Sequence, residues 1–175
     1  MSSTNRIKLS LTMLFVTSCG WILALGSPAY AGGWVADTKT GCQVWDPSPQ
    51  LEESVSWSGP CVQGRAEGKG VVKWLKSGAP YETDEGEWRG GKQGSTGKQS
   101  WPNGRYEGDL AEGEPNGRGV LIVQKLRYEG EFRNGKPYGH GSLTVGNEMV
   151  HGEWKDGCLQ GFRKASIGVP LSACR

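Results

Sequence analysis

The sequence predicts an all-β protein, an elongated, single-layer antiparallel sheet of stacked β-hairpins that is capped at its ends by disulfides. The first observation behind this prediction is a repeat of 22 residues, which keeps glycines in phase along the chain. The second is an alternation of apolar and polar side chains, and the third is a set of turn dipeptides between the alternating segments.

Columns of glycine mark the repeat. An isolated phosphate-binding glycine loop has no reason to recur at a fixed interval, so columns in phase indicate a repeated structural unit. The column that defines the repeat glycines consists of Gly86, Gly108, Gly130 and Gly152. Three more columns keep the same phase: Gly91, Gly113, Gly135 and Gly157; Gly117, Gly139 and Gly161; and Gly97, Gly119 and Gly141.

Neighbouring columns alternate in polarity. Because successive side chains of a strand point to opposite faces, this alternation predicts strands and not helices. The large apolar column consists of Trp88, Leu110, Phe132 and Trp154, and the acidic column beside it consists of Glu87, Asp109, Glu131 and Glu153. Each repeat is therefore predicted to be two strands and a turn.

Turn residues separate the two strands of each unit. Asn134-Gly135 and Asp156-Gly157 supply the positive-φ residues that tight two-residue hairpins require. The segment "KSGAPYETD" at 76–84 lies in a longer interval between copies, and we expect it to form an extended hairpin loop.

Two segments, "YEGDLAEGEPNGRG" at 106–119 and "YEGEFRNGKPYGHG" at 128–141, carry a family resemblance. They resemble the MORN repeat, whose consensus is close to YEGxWxxGxxxGxG. The resemblance implies a sheet of stacked hairpins with a shallow curved groove. It also implies scaffolding close to membranes, with phospholipid as a proposed ligand.

Weaker copies at 57–70, 84–97 and 150–163 bring the repeats to about five, over residues 57–164. Each hairpin buries its apolar face only against its neighbours, so both ends need a cap. The predicted organisation is a signal peptide over 1–31, an N-terminal cap over 32–56, the repeats, and a C-terminal tail over 165–175.

The N-terminal segment has the features of a signal peptide. Arg6 and Lys8 precede an apolar stretch, and small residues at "SPAYA" predict cleavage near Ala31. The style of the signal predicts a bacterial protein that is periplasmic or secreted. Attachment as a lipoprotein through Cys19 is the alternative, and the apolar "WILAL" after that cysteine argues against it.

Four cysteines remain after cleavage, and an even count in an exported chain favours disulfides. They allow three pairings. Proximity in sequence favours Cys42 with Cys61 and Cys158 with Cys174, which places one disulfide at each end of the repeats.

The charge balance bears on the class of partner. Of 20 basic residues, Arg6 and Lys8 fall in the predicted leader, which leaves 18 against 18 acidic residues. A polybasic surface for nucleic acid is therefore not predicted. The balanced charge also weakens the case for binding to anionic phospholipid.

Catalytic and cofactor motifs are not recognisable in the sequence. The "GGKQGSTGKQS" at 90–100 fails as a Walker loop, because Lys92 stands at the first glycine position and Gln99 at the Ser/Thr position. Paired acids of the repeated column could act in a glycan hydrolase, but no two of them differ in surroundings as an acid and a base must. We therefore predict neither enzyme activity, nor a cofactor, nor a metal site.

The predicted function is an exported scaffold whose groove binds a protein or an envelope component, phospholipid or glycan. The candidate groove residues are Trp74, Trp88, Trp101, Phe132 and Trp154. A carbohydrate-binding or cell-wall-binding module that uses exposed tryptophans is the alternative. An open sheet can also pair edge to edge, so a homo-oligomer is a further prediction.

Overall fold

The computed structural model describes residues 32–161 and 165–174, so the predicted signal peptide lies outside the described residues. The strands in chain order are β1 (Gly33–Ala36), β2 (Gln43–Asp46), β3 (Glu53–Trp57), β4 (Cys61–Val62), β5 (Arg65–Ala66), β6 (Gly68–Lys76), β7 (Ala79–Arg89), β8 (Lys92–Trp101), β9 (Gly104–Ala111), β10 (Glu114–Val123), β11 (Leu126–Arg133), β12 (Lys136–Val145), β13 (Glu148–Lys155) and β14 (Cys158–Leu159). A short 3₁₀ helix, Leu171–Ala173, follows. None of the helical structure in the described ranges has the length and apolarity to cross a membrane.

Ten of these strands form one long antiparallel sheet, in the order β14-β13-β12-β11-β10-β9-β8-β7-β6-β3. From β6 onward, strands that follow one another in sequence lie side by side, as stacked hairpins require. A second sheet of four short strands, in the order β1-β2-β5-β4, lies at the N-terminal end and is called the cap from here on. It differs from the predicted cap segment, because β4 and β5 come from the expected first repeat copy, whereas β3 joins the long sheet. The predicted fold class, with its two disulfides, is confirmed.

The two faces of the long sheet differ in chemistry. The inner face carries the apolar columns, which pack into two clusters. The N-terminal cluster consists of Cys42, Val44, Val55, Trp57, Ala66, Val72, Trp74 and Trp88. The C-terminal cluster consists of Tyr106, Leu110, Tyr128, Phe132, Leu143, Trp154, Leu159 and Ile167. The outer face carries charged side chains such as Glu107 and Glu129, both exposed.

A row of glycines crosses the sheet from β6 to β13. Successive pairings join Gly70, Gly86, Gly97, Gly108, Gly119, Gly130, Gly141 and Gly152. Aromatic rings of the inner face lie against several of them: a Cβ at Gly119 would stand 2.3 Å from the Tyr106 hydroxyl, and one at Gly141 would stand 2.2 Å from that of Tyr128. Glycine is needed there because the ring fills the space of a side chain.

The turns agree with the sequence. Asn134 and Gly135 have φ of 49° and 72°, and Asp156 and Gly157 have 51° and 86°. These left-handed pairs are the geometry of a type I′ hairpin turn, whose twist matches that of the flanking strands.

The prediction of an extended hairpin loop at 76–84 is wrong. β6 continues to Lys76 and β7 begins at Ala79, so only Ser77 and Gly78 form the turn between them. The extra length is absorbed as longer strands and as a register shift between Trp74 and Leu75. A bulge of this kind accommodates an additional residue without opening the hairpin.

Other chain segments meet both outer strands of the long sheet. Asp37 forms a parallel bridge with Val55 of β3, and Ser166 forms an antiparallel bridge with Cys158 of β14. An edge-to-edge homo-oligomer would have to form beside or in place of these segments, so it stays a prediction.

Asp37 joins the cap to the first strand of the long sheet. Its side chain is buried and accepts backbone N–H groups from Lys39 at 2.8 Å, Thr40 at 2.9 Å and Trp57 at 2.6 Å. Burial alone raises the pKa of this carboxyl, but the amide hydrogen bonds outweigh it and hold the pKa below its ordinary value of 3.8. The carboxylate is therefore the form that the fold stabilises.

Replacing Asp37 by asparagine should lower the free energy of unfolding at pH 7 by about 1–3 kcal/mol, because an amide NH₂ would then face a backbone donor. A lowered folded pKa stabilises above the unfolded pKa, and that stabilisation is lost as pH falls through the folded value. The difference between the two proteins should therefore shrink below about pH 3.8. Urea unfolding at pH 7 and pH 3 measures it.

Asp156→Asn is the matched control, since asparagine already occupies the equivalent turn position at Asn134. It should leave the free energy of unfolding within about 0.5 kcal/mol of the parent protein. Equal stability of Asp37→Asn and the parent protein at pH 7 would contradict the role given to Asp37.

Candidate functional site

A cleft of about 300 Å³ opens on the inner face of the long sheet. It lies at the centre of the sheet, over β8 to β11, between the N-terminal cap and the C-terminal tail. Its walls are largely apolar and include Trp101, Tyr106, Leu121, Val123, Leu126 and Phe132. An apolar concavity with a few polar groups at its rim is the usual form of a binding site.

Strand alternation and turn geometry position these side chains. Leu121 and Val123 point inward from β10 because they alternate with outward-facing residues, and Leu121 pairs with both Tyr106 and Tyr128. At one end of the cleft, successive hairpins are tied together where the Gly135 amide donates to the Pro115 carbonyl at 2.9 Å. The cleft is therefore built on rigid elements.

The C-terminal tail forms one wall through Ser166, Ile167 and Gly168. The Ile167 amide donates to the Gly157 carbonyl at 2.8 Å, and the Leu159 amide donates to the Ala165 carbonyl at 3.0 Å. The disulfide between Cys158 and Cys174 closes this segment against the last hairpin. The tail is thus fixed in place beside the cleft.

Backbone hydrogen bonds within their own hairpins account for two of the four repeated acids. The Tyr106 hydroxyl donates to the Asp109 carbonyl at 2.7 Å, and the Asp109 carboxylate accepts the Arg118 amide at 2.8 Å. Tyr128 and Glu131 repeat this arrangement in the next unit, where Glu131 accepts the His140 amide at 3.3 Å. Burial, and next the nearby carboxylate, raise the pKa of both tyrosines. Asp109 and Glu131 therefore have a structural role within their own hairpins.

The five aromatic residues predicted for the groove are divided by the fold. Trp74, Trp88 and Trp154 are buried in the two clusters, and the Trp74 indole donates to Asp84 at 2.6 Å. Trp101 lines the cleft, and Phe132 contributes to its wall while being itself buried in the C-terminal cluster. Sequence reasoning missed the other wall residues, such as Leu121 and Leu126, because aliphatic residues of a strand pattern give no sign of which neighbour covers them.

One ring face of Trp34, a tryptophan of the cap, is covered by a cation. Trp34 is 38% exposed, but the Arg65 guanidinium stacks over it at 3.3 Å from the ring centroid. Trp45 packs edge-on against Trp34 with ring centroids 5.0 Å apart. A sugar needs an open aromatic face on which to stack, and Arg65 covers that face of Trp34.

The outer face holds a shallow groove of about 750 Å³ along the glycine row. Charged and neutral polar side chains line it, among them Glu107, Arg118, Glu129 and Ser142. The Ser142 hydroxyl lies 2.7 Å from Nδ1 of His151, and Arg127 pairs with Glu129 at 2.6 Å. A nucleophilic triad also needs a carboxylate on the second nitrogen of the histidine, and the contacts found for His151 in the described residues include none.

Residues 32–161 and 165–174 contain no group of three or more His, Cys, Asp or Glu side chains that could hold a metal ion. The cysteines of these ranges are joined in disulfides, Cys42 to Cys61 and Cys158 to Cys174. The feature that the described residues do offer a ligand is the preformed apolar cleft on the inner face.

The architecture defines a class, a solenoid-like protein of hairpin repeats with capped ends. The comparison with protein families agrees, since the MORN repeat model matches three consecutive segments, 85–104, 106–122 and 128–147. MORN repeats are generally modules that bind proteins or membranes. The matched segments run from β7 to the turn after β12 and include most of the cleft. No curated protein matches the chain.

Proposed function

We propose that the protein is an exported, non-enzymatic binding module that holds a protein partner on the inner face of its sheet. The observation that carries the proposal is the open apolar cleft at the centre of that face. The cap covers the inner face on one side of the cleft and the tail covers it on the other. Apolar surface that a chain leaves open between two such covers is typical of an interaction site.

The dimensions of the cleft favour a protein segment over the other partners. A volume of about 300 Å³ is at the lower end for ligand sites and suits one or two side chains. Trp101, which is only partly buried, supplies an aromatic contact of the kind that dominates many protein interfaces. The balanced charge of the chain after residue 31 gives no general attraction to anionic lipid.

Export is supported by two features of different origin. The basic and apolar residues before Gly32 have the order of a signal peptide. One disulfide lies near each end of the described part, and such bonds persist in oxidising compartments. The intact mass of the protein purified from cells that express the full-length chain tests whether it begins near Gly32.

The substitution Val123→Trp should fill the cleft and weaken partner binding by about tenfold or more. Val123 lines the cleft, while Val145 occupies the equivalent position one repeat later, is 49% exposed and is absent from the cleft wall. Val145→Trp is therefore the matched control. Peptides selected from a displayed random library against the purified protein are the probe, and their affinities for the three proteins are compared by calorimetry.

Co-sedimentation with lipid vesicles and with cell-wall sacculi tests the other partners. The proposal predicts that the parent protein pellets with neither. Selected peptides that bind Val123→Trp and Val145→Trp equally well would contradict a cleft-based function. Pelleting with sacculi at high salt would instead support the carbohydrate-binding alternative.

A further inference from the structure

Successive hairpin turns present equivalent carbonyl groups along one side of the long sheet. These turn carbonyls belong to four glycines spaced 22 residues apart, each at positive φ. They are Gly91, Gly113, Gly135 and Gly157, with φ of 82°, 83°, 72° and 86°. Because the same turn recurs in each repeat, the hydrogen-bond partner of each turn carbonyl can be compared with the others.

The cap and the tail occupy the first and the last of the turn carbonyls. The Trp45 amide donates to the Gly91 carbonyl at 2.7 Å, and the Ile167 amide donates to the Gly157 carbonyl at 2.8 Å. Both glycines are buried. The donating residue is apolar in each case, and the Ile167 side chain is itself buried in the C-terminal cluster. A segment that covers the inner face thus binds a turn carbonyl through the amide of an apolar residue.

The two turn carbonyls between them differ. The Gly113 carbonyl is occupied from within the repeats, since the Gln99 side chain donates to it at 2.9 Å. Among residues 32–161 and 165–174, no donor is found for the Gly135 carbonyl. Gly135 is also only partly buried and is part of the cleft wall, whereas Gly157 is buried. Within the described ranges, an unoccupied acceptor therefore lies beside the apolar cleft.

We propose, resting on the function proposed above, that the partner is an extended peptide segment that donates the backbone amide of an apolar residue to the Gly135 carbonyl. The side chain of that same residue enters the cleft, as the Ile167 side chain enters the C-terminal cluster. The segment lies between the cap and the tail and continues the cover that they form over the turns. In recognition of this kind, backbone hydrogen bonds contribute affinity and the pocket selects the side chain.

Methylation of single peptide amides tests the proposal. The peptides selected from the displayed library are synthesised as a series in which each residue in turn carries an N-methyl group. At one position the methyl group should lower the affinity by about tenfold, because the donor to Gly135 is lost. Replacing that same residue by alanine should also lower the affinity, because its side chain occupies the cleft. Calorimetry measures both effects.

The carbonyl carbon of Gly135 reports the hydrogen bond directly. In protein labelled with ¹³C and ¹⁵N, its ¹³C signal should shift when a selected peptide binds. The shift should be lost with the peptide that is methylated at the sensitive position, compared at equal occupancy as judged from the Trp101 indole signal. The Gly113 carbonyl is the internal control, since Gln99 already donates to it and its signal should move much less.

Gly135→Ala should weaken binding of the selected peptides by about tenfold or more. At the equivalent Gly157, a Cβ would stand 2.5 Å from the Ile167 carbonyl oxygen, so a methyl group at Gly135 should obstruct a segment bound in the same way. Gly146→Ala is the matched control, because it also places alanine at positive φ, 62° against 72°, in a turn outside the cleft. It should leave the affinity unchanged.

Near-UV circular dichroism shows whether both variants keep the parent packing around their aromatic residues. Should Gly135→Ala fail to fold, the methylated peptides test the same hydrogen bond in the parent protein.

The outcomes separate the two proposals. Peptides that lose affinity for Val123→Trp but tolerate methylation at every position, with the Gly135 signal unmoved, would overturn the backbone contact and leave a binding cleft. Equal affinity of the peptides for folded Gly135→Ala and for the parent protein would overturn the contact as well. Failure of every library peptide to bind the parent protein would overturn the proposed function too.

Discussion

Replacing Cys42 and Cys61 together by serine should lower the free energy of unfolding by about 2–5 kcal/mol. The disulfide closes a loop with a sequence separation of 19 residues, so its loss frees the unfolded chain. Cys42 is fully buried within the N-terminal cluster beside Val44 and Ala66. A serine hydroxyl at that place would also be desolvated in apolar surroundings, which adds to the loss.

Denaturation in urea under oxidising conditions measures this effect, with Cys158→Ser/Cys174→Ser as the comparison. The second pair holds the tail, so its loss should also alter the fluorescence of Trp101 by moving a wall of the cleft. Unchanged unfolding midpoints in Cys42→Ser/Cys61→Ser would show that the cap is held by its other contacts. Among these are the bonds that Gly91 makes with Trp45 and Ala66.

Gly119→Ala should lower the free energy of unfolding by up to about 3 kcal/mol, because a methyl group there overpacks the inner face. The new Cβ would stand 2.5 Å from two carbons of the Tyr106 side chain as well as 2.3 Å from its hydroxyl. Tyr106 is 1% exposed and its hydroxyl is bound to the Asp109 carbonyl, so the ring has no room to move. Chemical denaturation gives the change in stability.

A double-mutant cycle identifies the ring as the cause. In a Tyr106→Ala background the methyl group has space, so Gly119→Ala should then cost less than about 1 kcal/mol. Gly86→Ala is the milder comparison within the same glycine row, because its Cβ would make a tight contact at 3.2 Å with the Thr96 carbonyl oxygen but would not overlap an aromatic ring. Additive effects of Tyr106→Ala and Gly119→Ala would contradict the steric explanation.

The sequence was sufficient to predict those parts of the fold that the repeat specifies. Successive copies constrain one another, so the columns around Gly108 and Gly130 gave the strands, their faces and their turns. The cap was not predictable in the same way, because residues before Trp57 have no second copy with which to be aligned. The addition of β3 to the long sheet and the parallel pairing of Gln43 with Arg65 depend on contacts between distant segments.

The cleft likewise depends on both the repeats and the segments outside them. Trp74 and Trp101 occupy the same column of their repeats, yet Trp74 is 1% exposed and Trp101 lines the cleft. The N-terminal cluster covers Trp74, while the cap does not reach Trp101. A column in the sequence shows which face a side chain points to. What lies over that face is decided by segments outside the repeat.

The repeat gives the protein an adjustable size. An inserted copy of 22 residues adds one complete hairpin unit together with its turns, so every later side chain keeps its original face. Each copy would add two strands, about 9.6 Å, between unchanged ends. The distance between cap and tail can therefore change only in steps of one hairpin. Each step reuses the existing packing between neighbouring hairpins, so it does not require a new core.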